Sequence, residues 1–494
     1  MGINWHRQHK WSSAAVLLFL TLMAVSGILL NHREALSGCE VTRSLLPPFY
    51  RFHDWNGGLM RGSIAFRGSS GEEKVALYGN EGVWLTDRSG VSFSDFNRGI
   101  PSPAAFRNVR AMTQLPGGEL FLATTDRLYR LGASGGEWMP VDMRLGGEEP
   151  VSDMTNRGDS LIVLTRSAVY VAQKPWREFR RMQLGSPEGT AQEKQTLFRP
   201  VWKLHSGQLF GTPGILAADF IGLVFIFLCL TGVLLLLFPS LIRRSRNPKL
   251  RKRIAGMMGW TLRNHRKAGF YTFFFTLLIC VTGWLLRPPG LIALVNISVP
   301  AVGKTNPWED ELRMIRYDVP RGRWLISTSG GFYETDASLQ GKMRRLPVQP
   351  PVSVMGLNVW EKENEDVWIC GSFSGIYRWN MKSGAITDYE SGKPADLKPG
   401  PPFGKTAAAG YSGDFRCGSV VATYDKGTSI LLQPDSLSTL PMPLWNVALE
   451  THTGRIFFGN SATYFFIFIV GGISFWSLLS GFMCARRRKK NVSS

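Results

Sequence analysis

Four stretches of the chain stay apolar long enough to cross a bilayer: Ser12–Leu30, Ile215–Phe238, Gly269–Leu286 and Tyr464–Met483. A hydrocarbon core of about 30 Å takes roughly 20 residues of helix, so each stretch predicts a membrane-spanning helix. Between the first two and between the last two, the pattern changes to short runs. Ala76–Gly79 leads to Trp84, Leu120–Thr124 to Tyr129, Leu161–Thr165 to Tyr170, Trp324–Thr328 to Tyr333 and Val367–Gly371 to Tyr377. Short runs rich in β-branched and aromatic residues, bounded by glycine and polar turns, predict strands. The closing aromatics recur at 45, 41 and 44 residues within each segment, the length of a four-stranded propeller blade. The expected fold is a membrane all-α four-helix bundle of two repeated helix pairs, plus an external all-β, propeller-like domain built from two insertions. Two separate β-sandwiches are the alternative. The expected boundaries are helix 1 in 1–32, a β segment 33–204, helix 2 in 205–240, a basic loop 241–267, helix 3 in 268–288, a second β segment 289–451, helix 4 in 452–485 and a tail 486–494.

Charge orients these elements. The formal net charge of the 494 residues is +20, but ten Lys/Arg fall between Arg243 and Lys267 and five run from Arg486 to Lys490. Positive charge beside a span marks its cytoplasmic flank. Both termini and the basic loop are therefore expected in the cytoplasm of a bacterial cell, around a multi-pass inner-membrane protein with its β segments in the periplasm. No nucleic-acid motif accompanies the charge, so no nucleic-acid partner is expected; membrane lipid is. The first span follows Arg7 and Lys10 like a signal peptide, but it recurs later in the chain and is read as uncleaved. Of six cysteines, Cys229, Cys280 and Cys484 fall in helices; Cys39, Cys370 and Cys417 fall outside, where one disulfide could form.

An internal repeat organises the chain. His9 lies 18 residues before Gly27 in Val25-Ser26-Gly27-Ile28-Leu29-Leu30, and His265 lies 18 before Gly283 in Val281-Thr282-Gly283-Trp284-Leu285-Leu286. Leu204-His205-Ser206-Gly207-Gln208-Leu209-Phe210 precedes helix 2; Thr451-His452-Thr453-Gly454-Arg455-Ile456-Phe457 precedes helix 4. Helices 2 and 4 also end in small pairs, Thr231-Gly232 and Ser480-Gly481. The seven histidines are His6, His9, His32, His53, His205, His265 and His452, and all but His53 lie near a span. If the halves face each other across a pseudo-two-fold axis, His9 meets His265 and His205 meets His452. Each pair can ligate one haem b iron from both sides, about two haems per chain, an arrangement suited to electron transfer. Gly27, Gly232, Gly283 and Gly481 are expected to let the flat macrocycle approach the helix backbones. The repeat counterpart of His32 is Pro288. His32 is therefore open between an alternative external ligand, a propionate partner and a proton shuttle, and His6 is a lesser rival to His9.

With these residues in view, the chain resembles the PepSY-associated transmembrane (PepSY-TM) family. The resemblance rests on His9-Lys10-Trp11, on Ser26-Gly27 through Leu30 with Asn31-His32, on Leu204-His205 through Gly211, and on His265-Arg266 and His452 through Phe457 in the second copy. Members include haem b proteins that reduce ferric siderophores at the periplasmic face. The resemblance therefore implies an oxidoreductase passing electrons to a periplasmic acceptor such as a ferric siderophore or other ferric chelate. No nucleotide-binding motif faces the cytoplasm, so the donor would be a separate reductase, reduced flavin or quinol. The rival reading is a membrane-anchored propeller that binds or senses a partner without redox chemistry. A transporter subunit is disfavoured, because the only acid within the spans is Asp219.

Overall fold

The structure is a computed structural model describing residues 4–490 except 69–70, 133–134, 144–148, 189–193, 301–305, 354, 398–403 and 405. The chain divides into two units. One comprises residues 1–41, 192–301 and 443–494, and the other residues 42–191 and 302–442.

The first unit is helical: α1 (Trp5–Asn31), α2 (Phe198–His205), α3 (Gly211–Arg244), α4 (Pro248–Tyr271), α5 (Phe273–Leu285), α6 (Leu444–His452) and α7 (Arg455–Lys490). Among the described residues, α1, the stretch Gln208–Arg244 and the stretch Ala462–Arg486 are long and apolar enough to cross a membrane; α4 with α5 makes a fourth if the pair is one span. α1 packs against α3 and α7, α3 against α4, and α5 against α7. Two expectations are corrected. The basic stretch read as a loop at 241–267 is helical from Pro248 onward, because Asn247 accepts hydrogen bonds from the Lys249 and Leu250 N–H groups and proline suits the first turn. The third span is not straight: α4 and α5 meet at a 66° bend around Thr272. There the Thr272 hydroxyl donates back to the Ala268 carbonyl and the Thr276 hydroxyl to that of Thr272, at 2.8 and 3.1 Å. Such back-bonding competes with the helix ladder and bends it.

The second unit consists of small antiparallel sheets, each a meander. Sheet 1 runs from Gly62–Arg67 through Glu73–Gly79 and Gly82–Thr86 to Ser94–Asp95, and sheet 2 from Val109–Gln114 through Leu120–Thr124 and Leu128–Leu131 to Trp138–Val141. Sheet 3 begins at Val151–Arg157, sheet 4 at Leu312–Asp318 and sheet 5 at Val359–Lys362, each with four strands; sheet 6 has two, Ala408–Ser412 and Val420–Thr423. Successive side chains of a strand point to opposite faces, and in these sheets both faces are buried. Val75 and Leu77 pack with Val420 and Ala422 of sheet 6, whereas Ala76 and Tyr78 pack with Val109 and Leu122 of sheet 2. Phe121 and Ala123 face sheet 3; Ile162 and Leu164 face Trp324 and Ile326 of sheet 4. Leu325 and Phe332 meet Trp360 and Trp368 of sheet 5, and Ile369 and Ile376 meet Ala408 and Tyr411 of sheet 6. This two-sided burial explains why the strands read as unbroken apolar runs rather than alternating ones.

Polar groups stitch neighbouring sheets. Arg61 donates to Asn108 and to the Val109 carbonyl, Thr113 to Asn156, Arg316 Nε to the Trp360 carbonyl, and Asn358 to the Ala408 carbonyl. Asp153 is fully buried; its Oδ2 accepts from the Ile315 N–H at 2.9 Å and from Arg316 at 2.6 Å. All six cysteines are free thiols, and Cys370 is buried within sheet 5, so the disulfide considered among Cys39, Cys370 and Cys417 is not formed. Removing one member of a buried ion pair strands the other charge. Asp153→Ala is therefore expected to destabilise this unit by about 3 kcal/mol. The change is read as a lower denaturant midpoint by tryptophan fluorescence, while Arg88→Ala, at the exposed Arg88–Glu73 pair, leaves that midpoint unchanged.

Candidate functional site

Four of the predicted histidines come together as two pairs. The His9 and His265 rings lie 6.1 Å apart, centre to centre, tilted by 52°; His205 and His452 lie 6.0 Å apart, tilted by 48°. His9 comes from the first turns of α1 and His265 from α4, whereas His205 and His452 are the last residues of the short helices α2 and α6.

One device holds all four rings. His9 Nδ1 donates to the Ser477 carbonyl at 3.0 Å and His452 Nδ1 to the Met23 carbonyl at 2.8 Å. The His205 and His265 rings bond the backbone of Ile279 and Leu228. Each of these backbone positions precedes by four residues one of the glycines singled out in the sequence: Ser477 before Gly481, Met23 before Gly27, Ile279 before Gly283 and Leu228 before Gly232. A helical carbonyl has a second lone pair after accepting its own i+4 N–H. The hydroxyl just before the glycine joins in three cases: Ser26 Oγ is 3.3 Å from His452 Nδ1, Thr282 Oγ1 3.1 Å from His205 Nδ1 and Thr231 Oγ1 2.7 Å from His265 Nδ1. At His9 this place is taken by Ser13 Oγ at 3.2 Å. A carbonyl can only accept, so Nδ1 carries the proton and the Nε2 lone pair is left for a ligand. Among the described residues none of the four Nε2 atoms has a hydrogen-bond partner.

The glycines therefore serve the imidazoles directly. A Cβ on Gly283 would stand 2.8 Å from His205 Cε1, on Gly481 2.8 Å from His9 Cε1, and on Gly27 3.1 Å from His452 Cε1. At these three positions a histidine ring lies directly against the glycine. Gly232 differs: its nearest neighbour is Leu17 at 3.7 Å, an ordinary contact. The backbone carbonyls escaped the sequence reading, although the [ST]-Gly pair four residues downstream was their signal.

The turns that aim His205 and His452 also repeat. Gly207 and Gly454 have φ of 80° and 77°, and Gly211 and Gly459 combine φ 62°, ψ −151° with φ 66°, ψ −158°. The latter region is essentially closed to residues with a Cβ. Beyond α5, Arg287 lies near both His205 and His452. Arg455 forms a two-pronged ion pair with Glu450, at 2.9 and 2.5 Å.

The other histidines stand apart. His32 Nε2 pairs with Asp219 Oδ2 at 2.8 Å, and Asn31 donates to Asp219 Oδ1 at 2.7 Å. His32 is thus committed to an acid of α3 rather than to either pair. His9, not His6, faces His265. His53 accepts from Asn56 in the sheet unit.

The family model for the PepSY-associated TM region matches residues 155–488. The chain belongs to the PepSY-associated TM family. The match takes in His205, His265 and His452 with three of the four glycines, and leaves α1, with His9 and Gly27, outside it. No curated protein matches the chain. Among solved structures, the extracellular domain of a hybrid two-component system from B. thetaiotaomicron is 10% identical, with a TM-score of 0.34 over 78% of this chain and 39% of that one. PorZ, a surface component of the type-IX secretion system of Porphyromonas gingivalis, is 8% identical, with a TM-score of 0.22 over 71% of this chain and 43% of that one. The chain thus spans less than half the length of either protein.

Forcing a Cβ into the turn conformation of Gly211 or Gly459 costs about 1–3 kcal/mol. Gly211→Ala and Gly459→Ala are each expected to lower the thermal midpoint of the detergent-purified protein. Gly256→Ala, in α4 where a Cβ meets nothing, is not.

Proposed function

We propose that this PepSY-associated TM protein is a transmembrane electron carrier. It binds haem b between His9 and His265 and again between His205 and His452, and it serves an acceptor on the periplasmic side. The observation that carries the reading is the pair geometry. Two imidazoles sharing one metal, each at a metal–nitrogen distance of about 2 Å, have ring centres about 6 Å apart. Both pairs have that spacing, and in both the distal nitrogens are tied to helix carbonyls, the usual outer support of a ligating histidine. Haem supplies one-electron redox chemistry, and six-coordinate bis-histidine iron favours electron transfer over oxygen binding.

The other parts of the reading rest on separate observations. His9 at one pair and Gly27 at the other are 18 residues apart on α1, about 27 Å of helix, close to the hydrocarbon thickness of about 30 Å. That separation supports one site near each membrane face in a four-helix arrangement. The basic residues of 243–267 and 486–490 support a cytoplasmic side for both termini and for the His9–His265 site. Arg287 has the charge and position to meet a haem carboxylate beside His205 and His452. The circuit of shared cores, each sheet packing on the next and sheet 6 on sheet 1, supports a six-bladed propeller built from both insertions. A ferric chelate is the acceptor class that the family relationship suggests.

The deciding measurement is an absorption spectrum of detergent-purified protein, oxidised and then dithionite-reduced, with haem counted per chain. About two haems with sharp reduced bands are expected; a haem-free protein from haem-sufficient cells would sink the proposal and favour an anchored binding protein. His265→Ala should lose the cytoplasmic-side haem and retain the other. His32→Ala should keep both.

The notches give a sharper series. Gly283→Ala and Gly481→Ala push a ligand ring by a few tenths of an ångström or more, so each should lower the haem content or shift the reduction potential of its own site. Gly232→Ala should leave both sites as they are.

A further inference from the structure

The sheet unit carries a repeated irregularity. Sheets 2, 3, 4 and 6 each bulge near the start of the first strand, where Arg110, Ser152, Arg313 and Ala409 are the residues skipped in the pairing. The residue before each bulge pairs with a threonine, in turn Thr124, Thr165, Thr328 and Thr423. All four bulges therefore sit at the same register and the same end of their sheets. A bulge re-aims the side chain it carries.

Arginines gather at this end. Arg110 has no hydrogen-bond or ion-pair partner among the described residues. Arg313 Nη1 reaches the Asp310 and Leu312 carbonyls at 2.9 and 3.0 Å, but its Nε is buried without an acceptor. Ser152 is 5% exposed and its Oγ has no partner; Thr125 Oγ1 is buried without one as well. The arginines sense one another. Burial and then the Arg110 charge lower the pKa of Arg61 to about 9; burial and then Arg166 and Arg110, among nearby charges, lower that of Arg313 to about 10. The acids nearby are Asp310, 3.7 Å from Arg166, Glu311, Glu149, which accepts from Thr165, and Asp153 and Glu361, which both pair with Arg316. Among the described residues none of them is hydrogen-bonded or ion-paired to Arg110. A guanidinium without an acceptor, Arg110, beside the partnerless hydroxyls of Ser152 and Thr125 raises the energy of the empty protein, a cost that folding alone does not explain.

We propose that the bulged end of the sheets is a binding site for a small polyanion bearing carboxylate or phosphate groups, held by Arg110 and Arg313 with Ser152 Oγ as a further donor. Guanidinium groups match both oxyanions two-pronged. The site lies wholly within the sheet unit and does not depend on the haem reading.

The test follows the thermal midpoint of the full-length protein in detergent by tryptophan fluorescence, with citrate, with pyrophosphate, and with sodium chloride at matched ionic strength. At least one of the two anions should raise the wild-type midpoint above the chloride control. A response to citrate alone marks a carboxylate ligand, and one to pyrophosphate alone a phosphate ligand. Arg110→Gln should raise the anion-free midpoint, because like charges are relieved, and weaken the anion response by about tenfold or more. Arg313→Gln should weaken it as well. The proposal is overturned if neither anion exceeds chloride, if Arg110→Gln responds like the wild type, or if Arg110→Gln lowers the anion-free midpoint.

Discussion

Everything in the helical unit depends on where four Nδ1 protons go. An imidazole is a directed ligand only when one nitrogen is committed elsewhere. Here the commitment is to a backbone acceptor on a helix other than the histidine's own. His9 leans on α7, His452 on α1, His205 on α5 and His265 on α3. No helix can therefore shift without turning a ring away from its partner. The acceptor is a carbonyl already engaged in the helix ladder, so the ring must come in close against the backbone. At Gly283 and Gly481 a Cβ would force the ring to shift, and at Gly27 it would crowd it.

The same constraint separates roles that look alike. His32 also sits beside a glycine-containing helix end, yet it finds a carboxylate, Asp219, rather than a carbonyl with a notch. A histidine paired to an acid through Nε2 has no free nitrogen on that side to present. Gly232 shares its motif with the other three glycines but stands clear of its histidine; there Thr231, 2.7 Å from His265 Nδ1, does the positioning. A small-residue pair in a span thus marks a ring seat only through the atoms that fill it.

How far the sequence could be read follows from the range of each signal. Spacing within one helix is local, so His9 to Gly27 and His265 to Gly283 could be matched by counting, and with them the pairing of the rings. Strand runs closing on Trp84, Tyr129, Tyr170, Tyr333 and Tyr377 were legible for the same reason, since the apolar run and its turns lie within a few residues. What occupies the space above a glycine is set by a residue distant in the chain, so which ring sits against each glycine could not be counted from local spacing. The bend at Thr272 depends on which carbonyl a hydroxyl selects, and composition does not record that choice. In Pro248–Tyr271 the density of Lys and Arg hid the apolar positions Leu250, Ile254, Met257 and Leu262, so a helix was read as a loop.

Both units share one further property: neither half of the chain completes anything alone. His9 and His205 belong to the first copy of the repeat, His265 and His452 to the second, and each pair takes one ring from each copy. The sheets obey the same rule. Sheets 1 to 3 come from the first insertion and 4 to 6 from the second, and two of the shared cores join them, Ile162 and Leu164 against Trp324 and Ile326, and Val75 and Leu77 against Val420 and Ala422. A half-chain would expose one apolar face on sheet 1 and another on sheet 3, and would leave each imidazole without its opposite. Because strands buried on both faces cannot tolerate water on either, the two insertions must close on each other to be stable. The duplicated helices must likewise meet for either pair of rings to face a common centre. The repeat therefore makes assembly of the whole chain a precondition for the geometry of every site it carries.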